Sequence, residues 1–173
     1  MRKVTVVEFN FAKEPEFTPR TPYWYMTYEE LEGIKNFPYI LDFDCSFTMV
    51  VKVGDEEYTL SAVIPKGFTY NLADIPPFLQ MLSYDRHSPF VKNASFIHDY
   101  MTSRKAVLWE DWELKKLGIT PLEFKRITSE VFCHVLKYNA VPYGKAHLMA
   151  WFMDLWQYTV PSWYALGKTE TSL

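Results

Sequence analysis

The sequence predicts an α+β fold, with an N-terminal antiparallel β-sheet packed against a C-terminal group of about four to five helices. Two observations carry that expectation. Through residue 64 the apolar residues recur with a period of two, and from residue 72 onward they recur at spacings of three and four. A third is length, because 173 residues suit one domain able to bury its own core without disulfides or metals. The whole chain, 1–173, is therefore expected to be a single domain.

The clearest strand is LDFDCSFTMVVKV, 41–53. Leu41, Phe43, Cys45, Phe47, Met49, Val51 and Val53 alternate there with Asp42, Asp44, Ser46, Thr48, Val50 and Lys52, so one face is buried and the other wetter. Gly54-Asp55 is a turn signal. EYTLSAVIP then resumes the alternation through Tyr58, Leu60, Ala62 and Ile64, and the two runs read as an antiparallel hairpin. KVTVVEFNF supplies a third strand. Between them Thr27 and Glu30 have the spacing of a capping box, which opens a short helix ending near Gly33.

In the helical half, Asp74 can cap a helix whose first turn holds Pro76 and Pro77, where a missing N–H costs little. A second helix is expected from Pro89 to Thr102, and a third through AVLWEDWELKKLG. A fourth starts at Thr120, where TPLE combines a cap, a first-turn proline and a third-position glutamate. Phe124, Ile127, Val131, Val135 and Tyr138 form its stripe, and VPYGKAHLMAWFMDLWQY opens a fifth helix with apolar Met149, Phe152, Met153 and Trp156. The tail, 160–173, reads as irregular and docked through Trp163 and Tyr164.

Composition narrows the function. With 49% hydrophobic and 23% charged residues the chain is globular, and its 18% aromatic content suits either an aromatic core or an aromatic-lined cleft. The formal charge of −3 and the scattered basic pairs Lys115-Lys116 and Lys125-Arg126 disfavour duplex nucleic acid and membrane surfaces as partners. Cys45 and Cys133 have no zinc or disulfide-frame spacing and read as reduced thiols. The first apolar run is broken at Glu8, and no run reaches membrane-span length, so a cytoplasmic protein is expected.

The polar pair in SFIHDYM, 95–101, is the first candidate site. His98 shares spacings of three and four with Val91, Ala94 and Met101, which turns it inward, while Asp99 is rotated by about 100°. Adjacent helical residues do not face each other, so no direct pair is expected and each side chain needs a partner from elsewhere. Leaving either buried and unsatisfied costs about 1–3 kcal/mol. Asn71 and Asp74 in YNLADIPPFLQ could supply the other half, because a turn entering a helix presents N–H groups and side chains across a cleft. Asp74 as a plain cap and Asn71 as a turn former stay open. Of the other histidines, His87 lies in a loop, and His134 and His147 sit on separate helices. His147, Trp151, Asp154 and Tyr158 form a stripe, though His147 and Asp154 are two turns apart and too distant to bond. No phosphate-binding glycine loop, His-Glu-x-x-His helix or nucleophile elbow occurs.

Three short motifs stand in a fixed order: Pro65, Gly67 and Phe68; then Leu72, Ala73, Ile75 and Pro76; then His98, Asp99 and Tyr100. In this the sequence resembles the phage and prophage family catalogued as domain of unknown function 1353, over residues 38–158. The chain departs from that pattern where Asn71 replaces a usual Asp, Asp74 a usual Ser, and Ser129, three residues before Phe132, a usual Asp. The resemblance implies a phage-type accessory protein of the host cytoplasm with a shared polar pocket, and brings no set reaction.

Three functions are open on this reading. A binding protein would surround a small, nucleotide-like molecule with Tyr70, Asn71, Asp74, Phe78, Tyr84, His98 and Tyr100, each stacked base contributing about 1–3 kcal/mol. A hydrolase would use His98 as general base or metal ligand, with Asp99 or Asp74 orienting it or sharing a divalent ion. Against that, a carboxylate moved along the chain rarely preserves the convergence such chemistry needs. A structural protein, in a virion or a homo-oligomer, would hold His98 and Asp99 as satisfied core polar groups.

Overall fold

The computed structural model describes residues 3–70 and 88–157, apart from the side chains of residues 89, 156 and 157. The strands are β1 (Val4–Phe11), β2 (Phe17–Pro19), β3 (Tyr39–Leu41), β4 (Cys45–Val53), β5 (Glu56–Ile64) and β6 (Thr69–Tyr70). The helices are α1 (Tyr28–Asn36), α2 (Pro89–Ser103), α3 (Lys105–Asp111), α4 (Pro121–Tyr138) and α5 (Tyr143–Gln157). This is the expected α+β architecture.

The larger sheet, in the order β1-β4-β5, is antiparallel throughout. Val53 pairs with Glu56 across a two-residue turn, and Gly54 there has φ +68°, a conformation glycine adopts without a Cβ penalty. Cys45, Phe47, Met49, Val51 and Val53 all turn into the core. β1 lies at the sheet edge, and its register with β4 shifts between Val6 and Glu8, a bulge that matters below.

The strand expected over 41–53 is in fact two. β3 ends at Leu41 in a second, smaller sheet, β2-β3-β6, and residues 42–44 bend before β4 begins. The Asp42 N–H donates to the Glu16 carbonyl (3.1 Å), and the Asp44 carboxylate accepts the Lys66 N–H (2.7 Å), pinning the corner. Leu41 and Cys45 are both buried, so the alternation runs unbroken across a change of sheet. That is why periodicity could not show the break. The strands of the smaller sheet are two or three residues long, too short for any period to register.

Both capping boxes form, at Thr27 with Glu30 and at Thr120 with Glu123. α1 runs past Gly33 to Asn36, because burial of Ile34 holds the turn that a glycine alone would only weaken. α3 is shorter than AVLWEDWELKKLG suggests and gives way to turns after Asp111, with Glu113 at φ +49°. Trp112 and Leu114 are both buried, and a continuous helix would put them about 200° apart. The chain breaks so that both can face inward, the Trp112 indole N–H donating to the Ser61 carbonyl (2.7 Å).

α4 is the hub, packed against α2, α5 and β1. Phe124, Ile127, Val131 and Val135 are buried as expected, whereas Tyr138 at the end of the stripe is 78% exposed. Beneath the smaller sheet, Phe96 of α2 meets the rings of Phe17 (4.8 Å), Tyr70 (5.4 Å) and Phe68 (6.0 Å). Much of the aromatic content therefore serves the core.

Candidate functional site

On α2 the predicted inward face is intact, since Val91, Ala94, His98 and Met101 are all buried. The His98 ring stands edge-on to Phe132 of α4 at 5.9 Å. One expectation is overturned: His98 Nδ1 lies 3.7 Å from Asp99 Oδ1, so the adjacent residues do approach each other. Rotation of the two side chains closes the 100° between their Cα–Cβ directions, although the separation exceeds hydrogen-bond length. Asp99 is also felt by Tyr70. Burial first, then the neighbouring Tyr39 and Asp99, push the Tyr70 phenol far above its ordinary value. Tyr70 Oη is buried with no hydrogen-bond partner among the described residues, and the ring stacks on Tyr39 at 5.7 Å.

Asp99 thus lies beside His98, and its charge acts at longer range on Tyr70, the last residue of β6. Tyr100 points elsewhere. It donates its hydroxyl to the Val63 carbonyl (3.3 Å) and packs against Phe68 (5.4 Å) and Phe47 (6.2 Å). Asn71, Asp74, Phe78, Tyr84 and His87 lie outside the described residues, as does the tail 160–173. Among the described residues no group of three or more His, Cys, Asp or Glu side chains could hold a metal ion.

Sequence reasoning missed a second polar region. α4 carries Arg126, Glu130, His134 and Lys137 along one side, opposite its apolar stripe, and α5 carries the stripe His147, Trp151 and Asp154. With Thr5 and Val6 of β1 they line a cavity of about 380 Å³. The spacing of four, four and three along α4 is the sequence signal for this face.

The outer edge of β1 explains part of this arrangement. The Val6 N–H donates to Glu130 Oε2 (2.6 Å), and the Val6 carbonyl lies 3.0 Å from His134 Nε2. A carbonyl only accepts, so Nε2 carries the proton. One turn of α4 thus satisfies both backbone groups of an edge-strand residue at the bulge, where a neighbouring strand would otherwise pair. Burial pushes Glu130 above the usual carboxylate range and is the main cause holding His134 below the usual imidazole range. Nearby Lys125, only 1% exposed, reaches Asp154 at 2.7 Å, and burial lowers the pKa of its ammonium.

Compared with known protein families, residues 48–153 match the family described as Protein of unknown function (DUF1353), well over half of the chain. The chain belongs to the DUF1353 family. The match starts inside β4 and stops inside α5, within the 38–158 expected from the motifs, and it contains both His98-Asp99 and the polar face of α4. No curated protein and no solved structure matches this DUF1353 chain. None of its helices, among the described residues, is long and apolar enough to cross a membrane.

Proposed function

We propose that this DUF1353 protein is a phage-type accessory protein that binds, and so sequesters, a small nucleotide-like ligand. The proposed pocket would join His98 and Asp99 of α2 with Asn71 and Asp74, which lie outside the described residues. The observation that carries this reading is the approach of Asp99 to His98 on α2, together with the buried hydroxyl of Tyr70, the residue immediately before Asn71, on which the Asp99 charge acts. Asp99 is an acceptor suited to the N–H edge of a base, Tyr70 Oη is a buried hydroxyl with unused bonding capacity, and His98 can donate or accept according to tautomer. Flat rings in YNLADIPPFLQMLSY would add stacking.

A hydrolase is the second reading, favoured by the His98–Asp99 contact. An aspartate beside an imidazole orients it and stabilises its protonated form, which is what a general base acting on water requires.

Thermal-shift measurement against mononucleotides and cyclic dinucleotides tests the binding reading. A ligand at a hundred times its Kd stabilises the folded state by about 2.7 kcal/mol. That raises the Tm of a chain this long by about 5–10 °C. The shift should vanish in Asp99→Asn and His98→Gln, and an unchanged shift in both variants contradicts the site. Loss of a stoichiometric divalent ion in His98→Ala, with turnover of a phosphoester, would instead favour the hydrolase.

A further inference from the structure

The groove between α4, α5 and β1 is open because its buried lining is small. Ser129 and Cys133, one turn apart on α4, and Ala150 on α5 are all buried and all line it. Glu130, His134 and Val6 line it from the β1 side, and His147, Trp151 and Asp154 from α5. The space of about 380 Å³ lies in the range of small-molecule pockets.

The charges of the groove cancel. Arg126 acts electrostatically on Glu130, and the Lys125 ammonium reaches Asp154 at 2.7 Å. Lys137 lies 4.8 Å over the Tyr143 ring. His134 and His147 are both held below the ordinary imidazole range, with burial the first cause in each, so neither adds a charge at neutral pH. Such a lining has donors and acceptors in plenty and little net field, which favours a neutral polar ligand over an ion.

Three groups are left with bonding capacity. Each carboxylate spends one oxygen on its structural partner, Glu130 Oε2 on the Val6 N–H and Asp154 Oδ1 on Lys125. Glu130 Oε1 and Asp154 Oδ2 take no hydrogen bond from any described residue. Ser129 is only 4% exposed, and its hydroxyl has no hydrogen-bond partner among the described residues, although a helical serine can bond the carbonyl one turn back. Burying a hydroxyl in this way costs stability that a bound ligand hydroxyl restores. Beside these groups Trp151, 54% exposed, offers a flat apolar ring.

We propose that this groove binds one ring of a neutral sugar, independently of the His98–Asp99 pocket. A pyranose is uncharged, its hydroxyls both donate and accept, and one of its faces is made of C–H groups. Trp151 takes that face, Glu130 Oε1 and Asp154 Oδ2 accept from hydroxyls, and Ser129 Oγ bonds a further one. A phosphoester would instead meet two carboxylates beside the cations.

Isothermal titration with methyl β-glucopyranoside, methyl β-galactopyranoside and methyl α-mannopyranoside tests the assignment. At least one should bind saturably with one site per chain, and the 6-phosphate of the same sugar should bind no more tightly. Trp151→Ala, at a half-exposed position that leaves the fold intact, and Ser129→Ala should each weaken that sugar by about fivefold or more. Ser129→Ala removes a hydroxyl with no bond to lose and should keep its Tm, so its lost affinity is not a lost fold. Backbone amide shifts on titration should centre on residues 129–134 and 150–154. The trisaccharide of the best binder tells a free sugar, held equally, from a chain, held more tightly. The proposal is overturned by the absence of saturable binding at tens of millimolar of all three glycosides, by unchanged affinity in both variants, or by markedly tighter binding of the 6-phosphate. Shifts centred on residues 97–100 would assign the sugar to α2 and remove this groove as a site.

Discussion

Lys125 and Asp154 offer the sharpest energetic test of how α4 and α5 are joined. The ammonium is 1% exposed and 2.7 Å from Asp154 Oδ1, whereas the Asp154 side chain is 22% exposed. The two substitutions should therefore be unequal. Asp154→Asn leaves a buried ammonium without its counter-charge. Breaking a wholly buried pair in this way costs about 3–5 kcal/mol. Water reaching Asp154 screens the pair, so a loss of about 2–3 kcal/mol is expected. In a chain of this length that lowers the Tm by about 4–12 °C. Lys125→Met removes the buried charge and keeps the aliphatic stem, leaving a carboxylate that water can reach, and should cost under about 1 kcal/mol. Asp154→Asn made in the Lys125→Met background should then cost little. Urea denaturation of the four proteins completes the cycle. A Lys125→Met loss equal to or larger than that of Asp154→Asn, or additive effects in the double variant, would refute this account of the helix junction.

Two further expectations concern the core and the sheet edge. His134 is held neutral in the folded state with its pKa below the unfolded value of 6.5. Its stabilising contribution is therefore complete above that value and is lost as pH falls toward the folded pKa, at up to about 1.4 kcal/mol per pH unit. Glu130, raised by burial, has the opposite sign, so the His134 contribution is read as the difference between the wild-type protein and a His134 variant in urea midpoints at about pH 7 and about pH 5.5. His134→Gln, which keeps an N–H for the Val6 carbonyl, should flatten that slope, and an unchanged slope would contradict the assignment. Trp112→Phe removes the indole N–H that bonds the Ser61 carbonyl and should cost about 1–3 kcal/mol by denaturation, and a change within about 0.5 kcal/mol would show that bond to be unimportant.

The sequence made the large elements legible wherever one physical rule acted alone. Period two found the hairpin and β1, and caps found α1 and α4, because these signals are local. Errors came where tertiary burial overrode them. Trp112 and Leu114 ended α3 early, Ile34 carried α1 past Gly33, and buried Leu41 disguised a change of sheet as one strand. At the candidate site, spacing placed His98 inward correctly but treated Asp99 as out of its reach, since helical angles describe Cα–Cβ directions and not the positions of rotated side chains. The groove was harder to see. It exists only because α4, α5 and the edge of β1 converge, and Val6, 124 residues from Glu130 along the chain, gives no sequence sign of the partner it meets.

The binding account rests on Asp99, His98 and Tyr70 facing one shared ligand. Backbone amide chemical shifts recorded while the best nucleotide from the thermal screen is titrated test this most directly. The account predicts that the saturable changes centre on residues 70–74 and 97–100 and disappear in Asp99→Asn. Changes confined to other surfaces, or the same changes in that variant, would contradict it.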